Sequence, residues 1–205
     1  MTTHYDNIAW QYKKSKELPI RQYAETYTYF HLIGEMAGKT ILDLACGEGF
    51  YTRQFKQKGA RHVLGVDISE KMIELVQQEE AKKTLGIEYI VGDVIELKKR
   101  GRFDLVVASF LLNYAQTKEQ LLRMCQSIYT KEPGTRFVSI NNNSEQPPES
   151  YKKMEKYRSA ARSVICCGVP YLFILVIRCT EFLSCLPLDF KIFLNQVLTI
   201  PIEAF

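Results

Sequence analysis

The sequence predicts an α/β fold, with a mostly parallel central sheet and helices on both faces. Short apolar runs alternate with amphipathic stretches through residues 39–141. That is the rhythm of repeated strand–helix units in a sheet covered on both sides. The composition agrees: of 205 residues, 46% are hydrophobic and 24% charged. These are ordinary globular values, which exclude collagen-like, disordered and low-complexity chains. The length suits one domain, or a domain with a small appendage.

The elements follow in order. Residues Arg21 to Met36 read as a helix rich in aromatics. Thr40 to Ala45 (TILDLA) is the first apolar run and leads into a glycine-bearing turn. Gly49 to Gln57 has helical character and stops at Gly59, a good residue just past a helix end. His62 to Asp67 (HVLGVD) is the second strand. Ser69 then suits the N-cap of a helix with Met72, Ile73, Leu75 and Val76 on its apolar face. Ile87 to Asp93 (IEYIVGD) and Phe103 to Ala108 (FDLVVA) are the third and fourth strands. Thr117 and Gln120 have the spacing of a capping box, ahead of a helix carrying Leu121, Leu122, Cys125 and Ile128. Pro133-Gly134 breaks the chain before the fifth strand, Arg136 to Ile140.

Charge and cysteines narrow the function classes. The net charge is +4 (27 basic, 23 acidic), with a pI of about 8.6. This lacks the concentrated positive charge of a nucleic-acid binder, and no nucleic-acid partner is expected. The opening residues MTTHYDNIAW show no basic stretch followed by an apolar one, so a cytoplasmic location is the default expectation. The six cysteines are then most simply free thiols. Lys98, Lys99, Arg100 and Arg102 read as a solvated loop.

In open parallel sheets, ligands bind beyond the carboxyl ends of the strands. After the first strand stands Asp43-Leu44-Ala45-Cys46-Gly47-Glu48-Gly49, whose small residues at 45, 47 and 49 permit a tight turn and close approach of a ligand. Asp67 follows the second strand, 18 residues beyond Gly49. A carboxylate there accepts hydrogen bonds from a ribose diol. Asp93 and Val94 follow the third strand, where a carboxylate can accept from an exocyclic amine and the next backbone N–H can donate to a ring nitrogen. A nicotinamide-dependent oxidoreductase is disfavoured, because the dinucleotide fingerprint would need glycine at Thr52 or a small residue at Phe50. Asp43 and Glu48 also crowd the turn with negative charge, which suits a ligand bearing positive charge.

These motifs, ILDLACGEGFYTRQF, VLGVDISEKMIELV, IEYIVGDVIEL, FDLVVASFLLNYA and PGTRFV, resemble the successive motifs of class I S-adenosylmethionine-dependent methyltransferases. The opening YDNIAWQYKKSKELPIRQYAETYTY most resembles the toxoflavin synthase type. The resemblance covers roughly residues 1–158. It implies a Rossmann-like fold with an N-terminal helical lid. It also implies methyl transfer from S-adenosylmethionine, giving S-adenosylhomocysteine, to a small-molecule acceptor. In the toxoflavin synthase type this would be N-methylation of an azapteridine-like heterocycle.

Position by position, the backbone at Ala45, Cys46 and Gly47 would border the methionine part of the cofactor. Asp43 would hold its ammonium, and Asp67 the ribose hydroxyls. Ile68 and Met72 would lie against adenine, Asp93 would accept from its amine, and Val94 would flank the ring. Phe110 would lie near the sulfonium. Arg21 would reach the cofactor carboxylate, with Tyr5 and Tyr12 closing the site. Ala45 stands where the family has its first glycine, a small replacement expected to do little harm. Thr135 replaces a common second glycine. No general base is required by the chemistry; His31 and Tyr114 are the candidates, and His31 reads more simply as a surface or packed histidine. Tyr23, Tyr27, Tyr29 and Phe30 are explained as well by packing as by a pocket. No metal site is expected.

The predicted organisation is therefore a lid over 1–38, a cofactor-binding core over 39–158 and an atypical apolar tail over 159–205. The tail holds six charged residues in 47 and four cysteines, Cys166, Cys167, Cys179 and Cys185, with no zinc-type spacing. Val164 to Ile177 carries no charge over 14 residues, short of a membrane span, though weak adsorption to a membrane would suit it. Leu172 to Ile177 and Lys191 to Ile200 are the stretches that would complete a sheet edge. The abrupt change in composition suggests an altered C-terminus, such as a shifted reading frame would give. The alternative expectation is thus a cofactor-binding but catalytically impaired relative. The oligomeric state is not legible in the sequence.

Overall fold

The computed structural model describes residues 25–98, 101–131, 135–142 and 172–178. Six strands form one sheet in the order β3-β2-β1-β4-β5-β6. They are β1 (Thr40–Leu44), β2 (His62–Asp67), β3 (Glu88–Val91), β4 (Leu105–Ser109), β5 (Arg136–Asn142) and β6 (Leu172–Arg178). The first five run parallel, and β6 pairs antiparallel with the whole of β5, from Arg136 opposite Arg178 to Asn142 opposite Leu172. The stretch at 172–177 therefore does form an edge strand, whereas 191–200 lies outside the described residues. The chain leaves β1 for β2 and β3 on one side, then returns to β4 and β5 on the other. The switch point, where such sheets bind ligands, is thus the gap between β1 and β4.

Four helices are described: α1 (Thr26–Ile33), α2 (Phe50–Gln57), α3 (Glu70–Lys82) and α4 (Lys118–Lys131). A 3-10 turn spans Leu111–Tyr114. One face of the sheet is covered by α1 and α2, with Tyr29, Ile33, Tyr51 and Phe55 packed on Ile41, Val63, Val107, Val138 and Ile140. The other face buries Leu42, Leu44, Leu64, Val66, Val106 and Phe137 against Leu97, Leu111 and Ile128 of α4. Strand residues alternate between these two cores, so both faces are dry, as the parallel pattern requires. At the amino ends of the central strands, the Asp104 carboxylate accepts from the Thr40 backbone N–H at 2.8 Å and from its hydroxyl at 2.9 Å. These bonds hold that carboxyl below its usual range.

Local signals set the helix ends. Ser69 caps α3, its Oγ accepting from the Met72 N–H at 3.2 Å. The Thr117 hydroxyl accepts from the Gln120 N–H at 3.1 Å, but the Gln120 side chain reaches back to the N–H of Gln116, at 2.9 Å, rather than to that of Thr117. Helix α1 stops at Ile33 rather than continuing to Met36, because Gly34 turns left-handed at φ 75° and its N–H bonds back to Phe30. Arg136 of β5 takes up the carbonyls left open there: its guanidinium donates to Ile33 O at 2.6 Å and Leu32 O at 2.5 Å. A cation at a helix C-terminus is the favourable sign for the helix dipole. Among the described residues, no helix is long and apolar enough to cross a membrane.

Candidate functional site

The site is built at the carboxyl ends of β1, β2, β3 and β4. Its centre is the turn from Ala45 to Gly49. Ala45 has φ 57°, Gly47 φ 56° and Gly49 φ 81°, so the backbone turns left-handed three times in five residues. Two of these positions carry glycine; at Ala45 the Cβ is retained at a cost of about 1–2 kcal/mol. The alanine is therefore less innocent than its size suggests. Hydrogen bonds hold the turn: Cys46 N–H donates to Val66 O at 3.0 Å and Gly49 N–H to Cys46 O at 3.0 Å. The Asp67 carboxylate reaches across from β2 and accepts from the Gly47 N–H at 2.8 Å and the Ser69 N–H at 2.9 Å. A single side chain thus ties the β1 turn to the start of α3.

Three carboxylates, Asp43, Glu48 and Asp67, are buried around this turn. Asp43 accepts from the Thr52 hydroxyl of α2 at 2.6 Å. Cys46 reports the resulting field. Burial, then the negative charges of Asp67, Asp43 and Glu48, push its thiol well above the ordinary cysteine range. It is a protonated, small, buried side chain and not a nucleophile. So much negative charge in a dry turn favours a ligand that brings positive charge.

The outer end of the site is different. Ile68 and Val91 are exposed, at 45% and 48%, although both are large apolar residues. They stand one step beyond β2 and at the end of β3, whose Asp67 and Val91 are register partners. Asp93 is half-buried and accepts from the Ile95 N–H at 2.8 Å. Val94 is buried, and its carbonyl accepts from the Ser127 hydroxyl of α4 at 2.7 Å. Met72 is buried in the first turn of α3. Ile68 and Val91 are thus the large apolar residues left exposed at this end of the site.

Across the switch point, Phe110 follows β4 with φ 66°, the other non-glycine residue in the left-handed region among those described. Its N–H donates to Ile140 O at 2.7 Å and its ring is buried. Beside it, Tyr29 of α1 lies fully buried next to Ser109. Burial and the neighbouring Asp43 push its phenol well up; Ser109 opposes this and Glu25 adds to it. Tyr51 donates to Glu25, closing the polar layer under α1. His31 is on the opposite, exposed side of α1, stacked on Tyr27 with ring centroids 6.0 Å apart. It is a surface histidine. Tyr114 is 36% exposed, and partial burial pushes its phenol up to about 12, so it is protonated at neutral pH. Arg21, Tyr5 and Tyr12 lie outside the described residues. So do the four tail cysteines, while Lys98 and Arg102 are exposed. Among the described residues, no cluster of His, Cys, Asp and Glu could hold a metal.

The structure thus brings together Asp43, Ala45, Cys46, Gly47 and Asp67 in one turn, with Ile68 and Asp93 on its outer side and Phe110 opposite. Residues 41–131 match the methyltransferase domain family. Comparison with known proteins agrees with that match. The demethylmenaquinone methyltransferase of Lactococcus lactis is 31% identical over 131 residues, 61% of this chain and 50% of that protein. The ubiquinone biosynthesis O-methyltransferase of Coxiella burnetii is 31% identical over 111 residues, 53% of this chain and 46% of that protein. The chain spans about half the length of these curated relatives. The crystal structure of an S-adenosylmethionine-dependent methyltransferase from Mesorhizobium loti superposes with a TM-score of 0.52 and 30% identity, covering 60% of this chain and 56% of that one. The fold is the Rossmann-like fold of class I methyltransferases.

Proposed function

We propose that this chain transfers a methyl group from S-adenosylmethionine to a small-molecule acceptor. The observation that carries the reading is the Ala45–Gly49 turn, locked to Asp67 and lined by three buried carboxylates. The cofactor supplies an activated methyl on a positively charged sulfur. The donor set fits that group. The carboxylate of Asp43 matches an ammonium and a nearby sulfonium, with Thr52 fixing its orientation. Asp67 retains acceptor capacity for ribose hydroxyls, since an ionised carboxylate has about four lone-pair sites. Ile68 and Met72 take the adenine side, with Asp93 for its amine and Val94 at the ring. Ala45, Cys46 and Gly47 give backbone contact to the methionine part, and Phe110 faces the reacting end. Arg21 is assigned to the cofactor carboxylate.

Methyl transfer is an in-line displacement, so the residues have to align the nucleophile and exclude water rather than move a proton. The dry faces of Tyr29, Phe110 and Leu111 suit that task. The acceptor is read as a planar ring compound. The toxoflavin synthase likeness favours N-methylation of an azapteridine-like heterocycle, and the relatives named for quinone biosynthesis point to a ring of similar shape. In this reading, residues 1–38 form a lid, 39–158 the cofactor core, and 159–205 a tail whose β6 closes the acceptor side of the sheet. The composition change at 159 supports a second reading, in which the cofactor binds but the acceptor site is impaired. Incubation with methyl-labelled S-adenosylmethionine and a panel of azapteridines, quinols and catechols separates the two. Label in a ring product is the expected result. A folded protein that binds S-adenosylhomocysteine but labels nothing in the panel contradicts the transferase reading and leaves the second.

A further inference from the structure

We infer that Tyr89 is a positioning residue for the cofactor turn: its ring supports the turn from below, so it selects for ligands that touch the turn over those that touch only the adenosine end. The inference rests on the cofactor reading above. Tyr89 sits on β3, and the sheet register places it beside Gly65 of β2, which in turn lies beside Asp43 of β1. Gly65 leaves the gap through which the ring passes. A Cβ at Gly65 would meet the Tyr89 ring at 2.7 and 2.9 Å and the Cys46 Sγ at 3.0 Å. Beyond Gly65 the hydroxyl end reaches the turn itself: a Cβ at Gly49 would meet Tyr89 Oη at 3.0 Å and Val76 Cγ1 at 2.8 Å.

Two glycines on different elements are thus matched to one ring. Gly49 needs glycine for its φ of 81°, but Gly65 lies within β2 and has no such need. There the missing side chain is explained by the ring that fills its place. The ring packs against Cys46, Ile73 and Val76, so it fixes both the turn and the α3 face behind it. The buried hydroxyl has no hydrogen-bond partner among the described residues. Shape, then, rather than a polar bond, is what the tyrosine contributes. Phenylalanine is expected to replace it and alanine is not.

The test compares two ligands on the full chain by calorimetric titration. S-adenosylhomocysteine reaches the turn through its amino-acid part; 5′-methylthioadenosine lacks that part. For Tyr89→Ala, affinity for S-adenosylhomocysteine is expected to fall about tenfold or more, and that for 5′-methylthioadenosine by less than about threefold, a differential of at least about threefold between the two ligands. Tyr89→Phe is expected to bind both ligands as the unchanged protein does. If Tyr89→Ala does not fold, Tyr89→Leu is read the same way. Equal weakening of both ligands, or no weakening of either, overturns the inference and leaves the cofactor reading standing. An unchanged protein that binds neither ligand overturns the cofactor reading and this inference with it.

Discussion

Two turns face each other across the switch point, and they use the same backbone device with different support. The turn after β1 places Ala45 in the left-handed region at φ 57°; the turn after β4 places Phe110 there at φ 66°. The first is held by polar bonds: Cys46 to Val66, Gly49 to Cys46, and Gly47 to the Asp67 carboxylate. The second is held by the N–H of Phe110 on Ile140 O and by burial of its ring. Strained backbone persists only where its surroundings over-determine it, and such positions gather at functional sites. The difference is that the first turn adds a side-chain lock, the Asp67 carboxylate on the Gly47 N–H, whereas the second has backbone bonds and a buried ring. That suits a site in which one half recognises a fixed, polar cofactor and the other adapts to an acceptor.

Removing the packing should have the largest effect. Phe110→Ala keeps the left-handed strain and loses the buried ring, so it is expected to destabilise by about 3 kcal/mol or more. Chemical denaturation measures this, and a loss below about 1 kcal/mol would mean that the ring does not hold the turn. Gly49→Ala comes next. It adds a Cβ against Val76 and Tyr89 at a φ of 81°, and a cost of about 2–3 kcal/mol is expected from strain and overpacking together. The same denaturation series checks it. If the substitution is neutral, the turn is looser than this structure shows.

Ala45→Gly should move in the other direction. Relief of the left-handed alanine is offset in part by the entropy of the unfolded glycine, leaving a gain of up to about 1 kcal/mol. A loss of stability would show that Ala45 does not occupy the left-handed region. The smallest effect concerns Glu80, away from both turns. Burial alone would raise its carboxyl, but the N–H groups of Leu85, Ile87 and Gly86, with Arg53, outweigh that and hold it below its ordinary range. A lowered carboxyl stabilises above its unfolded value of about 4.3 and loses that contribution as pH falls through the folded value. Glu80→Gln should therefore cost about 1 kcal/mol at pH 7 and progressively less below pH ~4.3, which thermal unfolding at several pH values reads out.

The same contrast explains what was legible in the sequence. β2 spans the residues expected of it and β1 ends one residue short, because apolar runs bounded by glycine turns are strong local signals. The caps at Ser69 and Thr117 were readable for the same reason, whereas Asp67 was expected only at ribose hydroxyls and its bond to the Gly47 N–H emerges from the fold. The support of the second turn was not readable. Phe110 is held by Ile140, and α1 by Arg136, through bonds between residues far apart in the chain that no local pattern announces. Nothing in the sequence sets Tyr89 apart; the register is what places it beside Gly65. Thr52 entered the sequence reading only as a missing glycine, yet it orients Asp43. The early end of α1 turned on Gly34, whose left-handed φ was not fixed by composition.

The central claim is that the Asp67-locked turn binds the methyl donor. Its most direct test is calorimetric titration of S-adenosylhomocysteine into the full chain and into Asp67→Ala and Asp67→Asn, each shown to be folded by circular dichroism. One-site saturable binding is predicted for the unchanged chain. The alanine variant should lose about 100-fold or more in affinity, the loss expected for one or two hydrogen bonds to a charged group. A folded, unchanged chain that gives no binding heat, or an alanine variant that binds as tightly as the parent, would contradict the claim.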